Sequence, residues 1–187
     1  MQKINFNDRS FNGFLEKEDI LLDTGVLIAY LSEHDTWHTT VKTLFENHIF
    51  NNDNAIFLYI NPCVLNEITH LTTHRKTINN YLEKHPEIVL TDKQKDEIEK
   101  NTLSSLKILI DNDILIPLDG DKDTYLKQVE TCKALGSADA FNASLASEFG
   151  ISFLTVDNKL VYNIESNIAY FKDMNNLYYT TAKHKDY

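Results

Sequence analysis

Four acidic residues stand where a folded chain does not place acids freely. Asp23 closes the apolar run Ile20-Leu21-Leu22, and Asp157 follows the apolar run that begins at Ile151 and ends at Thr155-Val156. Asp139 falls at a helix start, Gly136-Ser137-Ala138-Asp139, and Glu67 flanks the apolar side of a helical stretch holding Val64, Leu65, Ile68 and Leu71. Singly, each has an ordinary reading. Asp139 complements a helix dipole, Asp157 begins a turn with Asn158, and Glu67 is a surface helix residue. Asp23 is the hardest to set aside, because a carboxylate at the end of a buried strand is costly unless it is paired or holds a cation. As a set they are hard oxygen donors. Carboxylates brought together repel, and some stay protonated without a cation. Mg²⁺ or Mn²⁺ takes such ligands together with water and phosphate oxygens, and the chemistry that follows is metal-assisted hydrolysis of a phosphodiester. Thr24 and Thr155, beside the acids, can hydrogen-bond the carboxylates or the water.

Such a set works only if the elements between its members bring them to one place. Ile20 to Leu22 reads as a first strand, with a helix from Val26 to Leu31 after it. Thr36 is a candidate cap for a helix reaching about His48, Asn51 to Asn54 is a turn, and Ala55 to Ile60 is a second strand. Asn61-Pro62 is a strong helix start, with Asn as N-cap and Pro at the first helical position. That helix runs to about Lys84, with a break near Thr72-Thr73. Thr91 with Gln94 resembles a capping box opening a helix to about Asn112. Ile114 to Pro117 is a third strand and Asp123 to Leu135 a further helix. Ser137 is the expected cap of the helix that Gly150 ends. Ile151 to Thr155 is a fourth strand, residues 160 to 165 a short helix, and Leu177 to Thr180 a final edge strand. Short apolar strands alternating with longer helices predict an α/β domain with a mainly parallel sheet. The strand ends carrying Asp23 and Asp157 then lie on one sheet edge, where ligands bind in open α/β sheets. Residues 1–18 lack periodicity and read as a partly ordered N-terminal extension, with 19–187 as one domain.

Composition narrows the function classes. With 187 residues, 42% hydrophobic and 25% charged, the chain matches a globular domain with a real core. Its five glycines and three prolines are too few for an all-β fold. No apolar run approaches the roughly 18 residues of a membrane span. Met1 to Phe11 has no apolar h-region, so a cytoplasmic protein is expected, and no membrane partner. Cys63 and Cys132 are isolated and read as reduced thiols. Twenty-eight acids against 18 bases leave a net charge of −10, which argues against tight nonspecific nucleic-acid binding but not against a nuclease whose acids hold metal.

The fragments Leu21-Leu22-Asp23-Thr24-Gly25-Val26-Leu27-Ile28, Val64-Leu65-Asn66-Glu67, Ser137-Ala138-Asp139-Ala140-Phe141 and Leu154-Thr155-Val156-Asp157 resemble, in order and placement, the PIN-domain family of metal-dependent nucleases. Within it they resemble the toxin ribonucleases of the VapBC type. The resemblance spans about Ile20 to Thr180. It implies a five-stranded parallel sheet in the order 3-2-1-4-5 with helices on both faces, and Mg²⁺ or Mn²⁺ held by Asp23, Glu67, Asp139 and Asp157. Thr24 takes the place of the family's Ser or Thr beside the first acid. It further implies an endoribonuclease acting on RNA as the toxin of a type II toxin-antitoxin pair, with an antitoxin partner and a homodimeric state.

Other residues carry weaker signals. His38 beside Trp37 reads as a packing or capping residue. His70 and His74, at i and i+4, lack the further ligands a transition metal needs. Arg75, Lys76, Lys133 and Lys159 are candidates for phosphate contacts, each read first as solvated surface, and Tyr162 and Tyr170 are candidates for base stacking. Other classes fit the residues less well. Asp23-Thr24-Gly25 matches the aspartic-protease triplet, but that chemistry needs two such aspartates from β-rich lobes and leaves the other acids unexplained. Neither GxGxxG nor a P-loop is present. A PIN-like module that binds partners without catalysis, and a stand-alone nuclease acting in RNA processing or on DNA, remain as alternatives.

Overall fold

The computed structural model describes residues 1–51 and 55–182. The turn expected at Asn51 to Asn54 thus falls mostly outside the described residues. Among these, six strands form one sheet: β1 (Gln2–Asn5), β2 (Glu18–Leu22), β3 (Ile56–Ile60), β4 (Leu115–Pro117), β5 (Ser152–Leu154) and β6 (Asn176–Tyr179). The helices are α1 (Thr24–Leu31), α2 (His38–Phe45), α3 (Pro62–Thr73), α4 (Lys76–Lys84), α5 (Asp92–Asp111), α6 (Lys122–Leu135), α7 (Ser137–Glu148) and α8 (Asn158–Ser166). Strand order is β1-β6-β5-β2-β3-β4, and every pairing is parallel.

The five-strand order implied by the resemblance is present as β4-β3-β2-β5-β6. The count of five is corrected to six, because residues 2–5 pair with β6 in register Gln2 with Asn176 through Asn5 with Tyr179. The last strand is therefore not an edge. Four residues with no apolar alternation gave no strand signal for β1. The segment that follows it also buries Phe6 and Phe14, and the Phe14 ring joins Phe11 and Tyr178 in edge-to-face contacts.

Strand β2 divides the core by the two-residue period of a strand. Ile20 and Leu22 face one cluster, with Val26 and Leu27 of α1, Val41 and Phe45 of α2, Val64 and Ile68 of α3 and Leu106 of α5. Leu21 faces the other, with Phe141 and Leu145 of α7, Leu160 and Ile164 of α8, Phe153 and Phe171. A sheet sandwiched in this way holds its central strands rigidly and leaves the strand ends as the open edge.

Several boundaries differ from the expected ones. Helix α2 starts at His38 behind Trp37, with no side-chain cap from Thr36, and passes into a wider π-type turn at Glu46–Phe50. The break in the long helix lies at His74-Arg75, where Arg75 takes a left-handed φ of 53°. Gly136 (φ 97°), not Ser137, is the capping position of α7. The Asn61-Pro62 start, the Thr91–Gln94 capping box and the left-handed Gly150 are as the sequence predicts.

Candidate active site

The four acids converge because four different elements end or begin at one edge. Asp23 is the N-cap of α1. Its backbone N–H still donates to Leu154 O (3.0 Å), extending the β2–β5 ladder, while its Oδ1 accepts from Thr24 N at 2.8 Å. Thr155, wholly buried after β5, donates Oγ1–H to Asp23 Oδ2 at 2.6 Å and accepts from Asp157 N at 3.0 Å. One hydroxyl thus fixes two acids. Asp157 caps α8, its Oδ1 accepting from Lys159 N and Leu160 N at 2.7 and 3.1 Å. Asp139 lies in the first turn of α7. Glu67, in the second turn of α3, accepts from Thr24 Oγ1 at 2.8 Å. The Thr24 side chain, expected beside Asp23, therefore ties α1 to α3 through Glu67, and only its backbone N–H serves Asp23. Gly25 lets the start of α1 close on β5's exit, since a Cβ there would meet Val156 Cγ2 at 3.1 Å.

Asp23, Thr24, Glu67, Asp139 and Asp157 line one cavity of about 590 Å³. Their electrostatics register the crowding. Burial pushes the Asp23 carboxyl up to about 7, opposed by the Thr155 and Thr24 hydrogen bonds and helped by the charges of Asp139 and Glu67. Burial raises Asp139 to about 6, with Asp157 and Glu67 adding repulsion and Lys159 relieving some of it. Burial first, and neighbouring carboxylates second, thus favour the protonated forms of Asp23 and Asp139, which a nearby cation would offset.

Among the described residues, no group of three or more His, Cys, Asp or Glu side chains is arranged as a finished metal cage. The donor set nonetheless fits a hard cation. It is all oxygen, each Asp23 oxygen has a lone pair beyond the hydrogen bond it accepts, and Asp157 uses only Oδ1 in its cap.

Most of the remaining candidates fall elsewhere. His38 Nδ1 hydrogen-bonds with Ala29 O at 2.7 Å and joins α2 to α1. His70 and His74 stack at 4.2 Å on an exposed face. Arg75 is taken up by Asp92, Asp96 and Glu99, which pin the start of α4 to α5. Lys133, Tyr162 and Tyr170 lie outside the cavity walls, whereas Lys76 and Lys159 line it. Sequence reasoning missed the rest of those walls: the 34–37 loop with His34 and Trp37, and the Asn80, Tyr81 and Lys84 positions of α4. The one available signal was the spacing Lys76, Asn80, Lys84, which puts all three on one helix face. It also missed the buried bond from Asn61 Nδ2 to Asn142 Oδ1, 2.8 Å, linking the helices that carry Glu67 and Asp139.

The fold is a parallel α/β sheet with four acids, carried by different elements, lining one cavity. The PIN domain family model matches residues 20–164, and the chain belongs to that family, a family of nucleases. No match is found among curated protein sequences. Solved structures of similar fold include FitAcB from Neisseria gonorrhoeae (TM-score 0.50, 16% identity, covering 78% of this chain and 93% of that one). VapBC2 from Rickettsia felis, bound to a DNA fragment from its promoter, is similar at TM-score 0.50 and 14% identity, covering 86% of this chain and 98% of that one. FitAB bound to an IR36 DNA fragment also has TM-score 0.50 and 14% identity, with coverage of 89% and 99%. Among the described residues, no helix is long and apolar enough to cross a membrane.

Proposed function

We propose that this chain is a cytoplasmic, Mg²⁺- or Mn²⁺-dependent endoribonuclease and the toxin of a type II toxin-antitoxin pair. The observation that carries the reading is the convergence of Asp23, Glu67, Asp139 and Asp157 on one cavity. A divalent ion held there would supply Lewis-acid polarisation of the phosphodiester and a water of lowered pKa. The residues assigned to hold it are those four acids. Thr155 orients Asp23 and the Asp157 backbone, and Thr24 orients Glu67, so the carboxylates keep their places despite mutual repulsion. The buried floor of Leu22, Thr24 and Thr155 excludes bulk water from the inner face of the Asp23 carboxylate.

The FitAB and VapBC2 assemblies support a protein partner for this chain, bound as a homodimer-forming toxin. Any promoter DNA contact of such an assembly would come from the partner, because a net charge of −10 gives this chain little to offer a duplex. The test is cleavage of a labelled single-stranded RNA by purified protein with Mn²⁺. Asp23→Asn and Asp139→Asn, each folded by circular dichroism, are expected to lose at least about 100-fold in rate, as removal of a group stabilising the transition state does. Cutting that persists in both variants, or in chelator, refutes the reading. Activity confined to DNA would instead favour the stand-alone nuclease.

A further inference from the structure

The cavity has a second wall that the carboxylate chemistry does not use. Helix α4 contributes Lys76, Asn80, Tyr81 and Lys84 to it, in the same cavity as Asp23, Glu67, Asp139 and Asp157. Lys76, Asn80 and Lys84 fall at i, i+4 and i+8, so they form one stripe, and the two ammonium-bearing positions lie about 12 Å apart along the helix. Both lysines are exposed, and neither enters an ion pair among the described residues. That is notable in a chain with ten more acids than bases. Asp92, Asp96 and Glu99 of α5 are spent on Arg75, and these pairs also fix the start of α4. The other end is set by the Tyr81 ring, which meets His34 edge-on at 5.0 Å and joins α4 to the 34–37 loop. The wall therefore carries two lysines outside any ion pair among the described residues, is held at Arg75 and Tyr81, and shares one cavity with the four acids.

We propose that α4 is a backbone rail for the substrate strand. Lys76 and Lys84 hold phosphates flanking the scissile one, and Asn80 and Tyr81 between them face the intervening nucleotide. A strand of negative charge approaching four carboxylates needs cations beside them. The rail supplies these without neutralising the acids, because it stands on a different element. The inference rests on the nuclease reading for the identity of the ligand, a single-stranded RNA.

The test separates binding from cutting. Asp23→Asn/Asp139→Asn protein, which leaves the strand intact, is titrated with a fluorescein-labelled single-stranded RNA oligonucleotide by anisotropy across a salt series. Adding Lys76→Ala/Lys84→Ala is expected to weaken binding on the order of tenfold at about 0.1 M salt, and to reduce the slope of log K against log salt by about 1.4, two phosphates at about 0.7 each. Lys76→Arg/Lys84→Arg is expected to keep the slope. Lys93→Ala/Lys100→Ala, which removes equal charge from exposed positions of α5 outside the cavity, is expected to leave it unchanged. An unchanged slope in the α4 variant, an equal loss in the α5 control, or no binding by the parent protein overturns the rail. Binding that follows the α4 lysines while wild-type protein cuts nothing overturns the nuclease reading and leaves the rail standing.

Discussion

Asp23 carries the strongest consequence at the scale of single residues. Its carboxyl is held near 7 by burial, well above the 3.8 of a free aspartate. The folded state therefore binds a proton that the unfolded state releases between about pH 4 and 7. The sign follows from linkage: stability contributed by the protonated group is complete below the unfolded value and is lost as pH rises through the folded one. In chelator, the protein is expected to be less stable at pH 8 than at pH 5, with Asp23 contributing on the order of 3 kcal/mol to the difference. Asp23→Asn is expected to flatten that dependence, and Mn²⁺ to restore stability at pH 8 in the wild type alone. Thermal melts at both pH values check it. A wild-type melting temperature that rises from pH 5 to pH 8 by as much as that of the variant would contradict it.

At the scale of elements, the site depends on how α3 and α7 are held against each other. Asn61 caps α3 by accepting from Cys63 N and Val64 N at 2.9 and 3.0 Å, and its amide donates to Asn142. Glu67 lies six residues after one end of this bond and Asp139 three residues before the other. Both amides are buried, so removing one leaves the other unsatisfied at a cost of about 1–3 kcal/mol. Asn142→Ala is expected to lower stability by roughly that amount, read by urea denaturation. If the nuclease reading holds, it should also weaken apparent Mn²⁺ affinity in activity titrations, because Asp139 is no longer fixed relative to Glu67. Unchanged metal dependence in a destabilised variant would mean the bond serves folding alone.

Across the whole molecule, the sheet is locked at its amino edge by a carboxylate that no sequence pattern flagged. Glu18 is 3% exposed and accepts from Ser152 Oγ, Asn176 Nδ2, Tyr178 Oη and Leu15 N. It thus joins β2, β5, β6 and the residues that follow β1. Burial and this carboxylate hold the Tyr178 hydroxyl protonated far above its usual range. Glu18→Ala strands several buried donors at once. It is expected to cost about 3 kcal/mol or more and to lower the melting temperature by roughly 6–12 °C for a chain of this size, as calorimetry would show. Glu18 and Asp23 lie at opposite ends of β2, one carboxylate saturated with buried donors and the other crowded by neighbouring acids.

That contrast shows what could be read from the chain. Glu18 opens β2 and Asp23 follows it, but in the sequence Glu18 stands between Lys17 and Asp19 with no mark of burial, whereas Asp23 closes an apolar run. The strand period, the Asn61-Pro62 and Thr91–Gln94 helix starts, and the alternation of strand and helix are local properties, so sequence alone determined the α/β architecture and put the four acids at strand ends and helix starts. Strand β1 escaped because a four-residue strand is fixed by its partner β6, not by its own pattern. The cap of α7 moved to Gly136 because backbone conformation there overrode the better capping side chain of Ser137. Only the tertiary structure decided which acid is hydrogen-bonded into silence, which hydroxyl serves which carboxylate, and that Arg75 is spent on α5 while Lys76 and Lys84 face the cavity. Those outcomes depend on side chains far apart in sequence meeting at 3 to 5 Å, a distance that local propensity does not encode.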